Sequence, residues 1–179
     1  MPHMMRLSAI ALCPLQNTRA DSVTFPVALA FAFCLLSQPS AAQSFCDDLK
    51  TIVAASPQFA SLRGEAEGMQ FHGTLRLEGT TQCEIRNKSD LDNNWQPINE
   101  KWSYECLWEN RTAQALPALT ALVGQCLPEA QYSEGSPLGA KFANFAGGVY
   151  RLDDTSIVTD YNKDTSQLWL TVLPPGVEQ

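Results

Sequence analysis

The sequence predicts an α+β fold: an antiparallel sheet or sheets with helices packed on one face, ordered αβββαβββ and held by two disulfides. Three observations carry this expectation. Residues 45–56 and 112–129 place apolar side chains at helical spacing. Shorter runs between and after them alternate apolar and polar side chains as half-buried strands do. Four cysteines, Cys46, Cys83, Cys106 and Cys126, fall in or beside these elements.

In FCDDLKTIVAAS, residues 45–56, Phe45, Leu49, Ile52 and Val53 share one stripe, and Asp47 and Asp48 sit near the positive N-terminal end. Ser56 and Pro57 fit an N-cap and first helical residue, opening a short helix PQFASLR that Gly64 stops. GEAEG is a polar linker. MQFHGTLRLEG, 69–79, is a strand anchored by Phe71, Leu75 and Leu77, and QCEIRN, 82–87, is a second in which Cys83 and Ile85 share a face. KSDLDNNWQPINE is a polar loop. KWSYECLWEN then sets Trp102, Tyr104, Cys106 and Trp108 on one side, with Ser103, Glu105 and Glu109 around a single leucine on the other.

TAQALPALTALVGQCLPE, 112–129, is the second helix, with Thr112 as N-cap, Pro117 in its first turn or at a kink, and Pro128 at its end. Its buried stripe is Leu116, Leu119, Leu122, Val123 and Cys126. QYSEGSPLG is loop. AKFANFAGGVYRL, SIVTDY and QLWLTVL are three closing strands joined by DDT and NKDTS turns, and Pro174 and Pro175 end the fold.

Residues 1–42 read as a signal peptide, with 1–20 as an upstream extension, leaving 43–179 as a single domain. Val23 to Leu36 is an apolar run of about fourteen residues, too short as a helix to span roughly 30 Å of hydrocarbon. It fits the core of an export signal, and the small residues Ser40 and Ala42 mark cleavage after Ala42. The alternative is an apolar helix kept in the core. Bulky Phe33 before Cys34 argues against lipidation there. Cleavage removes Cys13 and Cys34, leaving four cysteines and no stable membrane span. An even cysteine number suits an oxidising compartment, periplasmic or secreted. Cys83 and Cys106 lie on the apolar faces of strands joined by a hairpin-like loop. Pairing them closes about two dozen residues, worth about 3 kcal/mol in the chain-entropy model. Cys46 opens one helix and Cys126 closes the other, so antiparallel packing brings them together.

The chain has 179 residues, a hydrophobic content of 45%, a net charge of -7 and a pI near 4.7. That is one globular domain. An acidic chain repels phosphate backbones and anionic lipid, so nucleic acid is excluded as a partner class.

The spacing of CEI, YEC and CLP resembles a cysteine framework of small secreted proteins of Gram-negative bacteria, over about 45 residues. The element order resembles that of type III secretion chaperones and of a secreted protein inhibitor of β-lactamase. The resemblance implies a non-enzymatic binding role and carries no functional residues across.

Catalytic equipment is sparse. After cleavage His72 is the one histidine, which excludes HExxH and multi-histidine metal centres. Ser136 in GSPLG does not match a nucleophile elbow, and oxidised cysteines are not thiolate nucleophiles. Glu105 and Glu109 share a strand face, and Asp153, Asp154 and Asp160 cluster later; a paired carboxylate is the catalytic option. Asp90, Asp92 and Asn94 echo the start of a calcium loop, but Trp95 replaces the turn glycine and Lys101 the closing glutamate. Asp160, Asn162 and Asp164 lack a closing acid. Turn chemistry explains both stretches more simply, so no metal and no cofactor is expected. Asn87-Lys88-Ser89 and Asn110-Arg111-Thr112 match the glycosylation acceptor pattern, which matters only in a eukaryotic source.

The tryptophans, with Tyr104, Tyr150 and Tyr161, are the recognition candidates. Of these Trp95, Trp108 and Tyr104 are the expected contact residues, Trp95 because it lies in a polar loop; at strand spacing, core packing is the competing reading for Trp102 and Trp108. The expected function is non-catalytic binding of a partner protein outside the cytoplasm. The alternatives are a carboxylate-dependent hydrolase acting on a glycan and a structural envelope component.

Overall fold

The structure, a computed structural model, describes residues 41–91, 97–98, 100–135, 139, 141–174 and 177. The expected signal core, the upstream extension, Asp92, Asn94, Trp95 and Ser136 lie outside the described residues.

Helix α1 spans Ala41–Ala54 and buries Phe45, Leu49 and Ile52. Its described part includes four residues before the apolar stripe, good helix formers among them, so Asp47 and Asp48 do not fall in its first turn. The short helix expected after Pro57 does not form. Phe59 takes a left-handed backbone, φ 51°, and only Ala60–Leu62 make a 3₁₀ turn. Phe59 is fully buried with its ring 5.7 Å from that of Tyr104, and this packing outweighs local helix propensity.

The strands are β1 (Arg63–Glu67), β2 (Gln70–Gly73), β3 (Gln82–Asn87), β4 (Asp90–Leu91), β5 (Pro97–Ile98) and β6 (Trp102–Trp108). After helix α2 (Ala115–Cys126) come β7 (Gln131–Glu134), β8 (Phe145–Leu152), β9 (Thr155–Asn162) and β10 (Gln167–Leu173). Eight of them form one antiparallel sheet in the order β1-β2-β3-β6-β10-β9-β8-β7, while β4 and β5 make a separate two-stranded hairpin. Each half of the chain is therefore a helix followed by a four-stranded meander. The halves join where β6 and β10, the last strand of each, pair at the centre of the sheet.

The α+β class, the helices against the sheet and both disulfides agree with expectation. Two strands do not. β1, read as a linker, and β7, read as loop, are the edges of the sheet, where the side chains are mostly solvated and leave no alternation to read. The strand expected over 69–79 stops at Gly73. Beyond it the Thr74 N–H donates to the Leu62 carbonyl and the Tyr104 hydroxyl to the Leu75 carbonyl. Gly73 is required there, because a Cβ would land on the Tyr104 ring and hydroxyl. Thr112 does not cap α2; its carbonyl accepts the Ala115 N–H, and Gln114 holds the cap position without a side-chain bond. Pro117 lies in the first turn, where its missing N–H has no intrahelical partner to lose.

The core lies between helices and sheet. Ile85, Tyr104, Leu170, Val172 and Ile157 from the strands meet Phe45, Leu49, Leu119 and Val123 from the helices. Cys83 and Cys106 stand directly opposite in β3 and β6, with Cα atoms 4.1 Å apart. Cys46 and Cys126 tie the helices together with a Cα separation of 4.9 Å. Among the described residues no helix is long and apolar enough to cross a membrane.

Candidate functional site

Alternation sends the remaining side chains of the central strands to the face away from the helices. There Glu84 stands opposite Glu105, Glu105 opposite Thr171, and Trp169 opposite Asp160. Asn162 is opposite both Gln167 and Phe145. Arg86, Lys88, Glu105, Phe145, Asp160, Asn162, Gln167, Trp169 and Thr171 line a pocket of about 280 Å³. Further along the same face Val149, Val158 and Leu173 form a small apolar cluster under Val177.

The charges on this face are tightly ordered. Arg86 Nη2 lies 2.8 Å and Nε 3.0 Å from Glu84 Oε2, and the same Nε is 3.4 Å from Glu105 Oε2. Lys88 Nζ approaches Glu105 Oε1 at 2.8 Å, and the Ser103 hydroxyl donates to that oxygen, also at 2.8 Å. Partial burial works to lower the Arg86 pKa, but the Glu84 hydrogen bond and the charges of Glu105 and Glu84 outweigh it, and the net shift is upward. Two carboxylates thus sit on neighbouring strands because a guanidinium bridges them.

Asp160 is 1% exposed and Glu105 8%. Opposite Asp160 is Gly147, where a Cβ would meet the Thr159 carbonyl and the Asp160 carboxylate; glycine leaves the room that Asp160 occupies. At the rim, Phe142 is 53% exposed with its ring 6.1 Å from Phe145. Asn162 Oδ1 accepts the N–H groups of Asp164 and Thr165, so the stretch that echoed a calcium loop forms the β9–β10 turn and fixes this amide at the pocket edge.

Two of the expected contact residues are elsewhere. Tyr104 is fully buried, and Trp108 is buried with its Nε1 donating to the Glu78 carbonyl at 3.0 Å. Alternation put both on the helix side, Tyr104 enclosed in the core and Trp108 lining a second pocket with Phe45, Arg111 and Leu119. Burial pushes the Tyr104 pKa up to about 12, against the lowering effect of its bond to Leu75. His72 pairs with Glu67 at 3.3 Å on the exposed edge of the sheet. Among the described residues no group of three or more His, Cys, Asp or Glu side chains could hold a metal ion.

Sequence reading singled out Glu105, Asp160 and Trp169 but missed Arg86, Lys88, Phe145, Gln167 and Thr171. The available signal was QLWLTVL, whose outer face carries Trp169 and Leu173 between Gln167 and Thr171 and no charge, unlike a fully solvated strand face. No protein-family model, curated protein or solved structure matches the chain.

Proposed function

We propose that this is an exported binding protein, stapled by its disulfides and without catalytic activity of its own, which takes its partner at the pocket on the helix-free face. One observation carries the reading. Two carboxylates, each at least nine-tenths buried, line an open pocket beside an indole in the middle of a sheet. Burying ionised groups is costly, and a face serving solvation alone would leave them in water. Export is supported by the two disulfides, which persist in oxidising compartments, and by the apolar stretch before Ala42. The hydrolase alternative has less support. The expected pair does not form on one strand, because Glu109 lies past the end of β6 and is exposed, while Glu105 and its neighbour Glu84 are each held by a cation, Arg86 or Lys88.

The test is a photo-crosslinking amino acid placed in cells of the native host at Phe142, on the pocket rim, or at Ala121, on exposed α2. Adducts from position 142 and not from 121 are expected. Equal capture from both, or none from 142, would refute the assignment of the face.

A further inference from the structure

We propose that the pocket takes a neutral saccharide ring, stacked on Trp169 with its hydroxyls shared between the flanking carboxylates and cations; this rests on the reading of the pocket as a ligand site. Charge decides first. Lys88 is already on Glu105, and Arg86 on Glu84 and Glu105. An anion entering beside these cations meets Glu105 and Asp160, and a cation entering beside the carboxylates meets Arg86 and Lys88. A neutral polyol meets no such conflict. Each hydroxyl donates one hydrogen bond and accepts others, so it bridges a carboxylate to an ammonium or amide, and bonds to charged partners are the stronger kind.

Shape agrees. A saccharide ring has an apolar face of C–H bonds polarised by neighbouring oxygens, which suits the negative face of an indole. Trp169 is partly exposed at the pocket, with Asp160 opposite it on one strand and Thr171 two residues along its own. At about 280 Å³ the pocket lies just below the range of small-molecule sites, roughly 300–1,000 Å³. It holds one ring, and the exposed Phe142 beside Phe145 offers a second apolar surface for the next ring of a chain.

The experiment titrates the disulfide-bonded protein, purified from an exporting host, by calorimetry and tryptophan fluorescence. The probes are soluble neutral oligosaccharides (β- and α-linked glucans, N-acetylglucosamine oligomers, galactomannan fragments), with inorganic phosphate and choline as anionic and cationic controls. Co-sedimentation with the matching insoluble polysaccharides separates recognition of a free sugar from that of a wall or matrix polymer. Expected is binding of at least one saccharide class in the micromolar to millimolar range, weakened at least about tenfold by Trp169→Ala. Trp169→Phe, which keeps an aromatic face, should retain most of it, while Trp108→Phe reports on core damage alone. Binding of phosphate or choline without any saccharide, saccharide binding indifferent to Trp169→Ala, or silence across the panel would overturn the proposal. Silence together with crosslinks from position 142 leaves the binding face standing with a protein partner on it. Silence without them brings down both readings.

Discussion

Arg86→Met removes the cation that lets two buried carboxylates share a face. Glu84 Oε2 and Glu105 Oε2 both lie within reach of Arg86 Nε, at 3.0 and 3.4 Å, so they are separated by no more than about 6 Å. With an effective dielectric constant of about 20, two like charges at that distance repel by about 3 kcal/mol. The Arg86 side chain is 39% exposed and Lys88 still contacts Glu105, so screening reduces the expected loss to roughly 2 kcal/mol. Urea unfolding at neutral pH measures it. Adding Glu84→Gln to Arg86→Met should restore about half of the loss at neutral pH. A loss below about 0.5 kcal/mol, or one that adding Glu84→Gln does not reduce, would refute the idea that the guanidinium holds this cluster together.

Three further expectations follow from the core and the sheet. Tyr104 keeps its proton in the folded state up to about pH 12, whereas an unfolded tyrosine loses it near 10. Its contribution is therefore complete below pH 10 and lost between 10 and 12, by roughly 2–3 kcal/mol; Tyr104→Phe should flatten that alkaline fall in urea-melt stability, and an unchanged slope would contradict the burial. Replacing Cys46 and Cys126 together by serine frees a loop of 80 residues, about 4.5 kcal/mol in the chain-entropy model. The denaturant slope should rise as the unfolded chain expands, and an unchanged slope would count against this. Gly147→Ala drives a Cβ into the β8–β9 pair and the Asp160 carboxylate, so a loss of roughly 1–3 kcal/mol and weaker binding at the pocket are expected in thermal melts and titrations.

The helices, the sulfur pairings and the aromatic face of β6 were legible because each rests on a strict period or a covalent constraint. Cys83, Cys106 and Tyr104 alternate cleanly against charged neighbours, and burial on the helix side keeps that phase. The edge strands were hidden for the opposite reason. RGEAE and QYSE contribute backbone hydrogen bonds to the sheet while their side chains are mostly in water, so nothing in their composition separates them from loops. The short helix after Pro57 failed because Phe59 is worth more under Tyr104 than in a helical turn. The pocket escaped because its parts lie on five strands and in the loop after β3, and each polar residue alone looked solvated. Only the register brings Glu84, Glu105 and Thr171 into one row and Trp169 and Asp160 into the next.

The chain contains four tryptophans, and their indole N–H resonances report on different places at once. Trp102 and Trp108 are buried toward the helices, Trp169 lines the opposite face, and Trp95 belongs to the loop first expected to make contact. Adding the bound saccharide or the captured partner to labelled protein should shift the Trp169 resonance and leave those of Trp102 and Trp108 where they were. A shift confined to Trp95, with Trp169 unmoved, would contradict the assignment of the helix-free face.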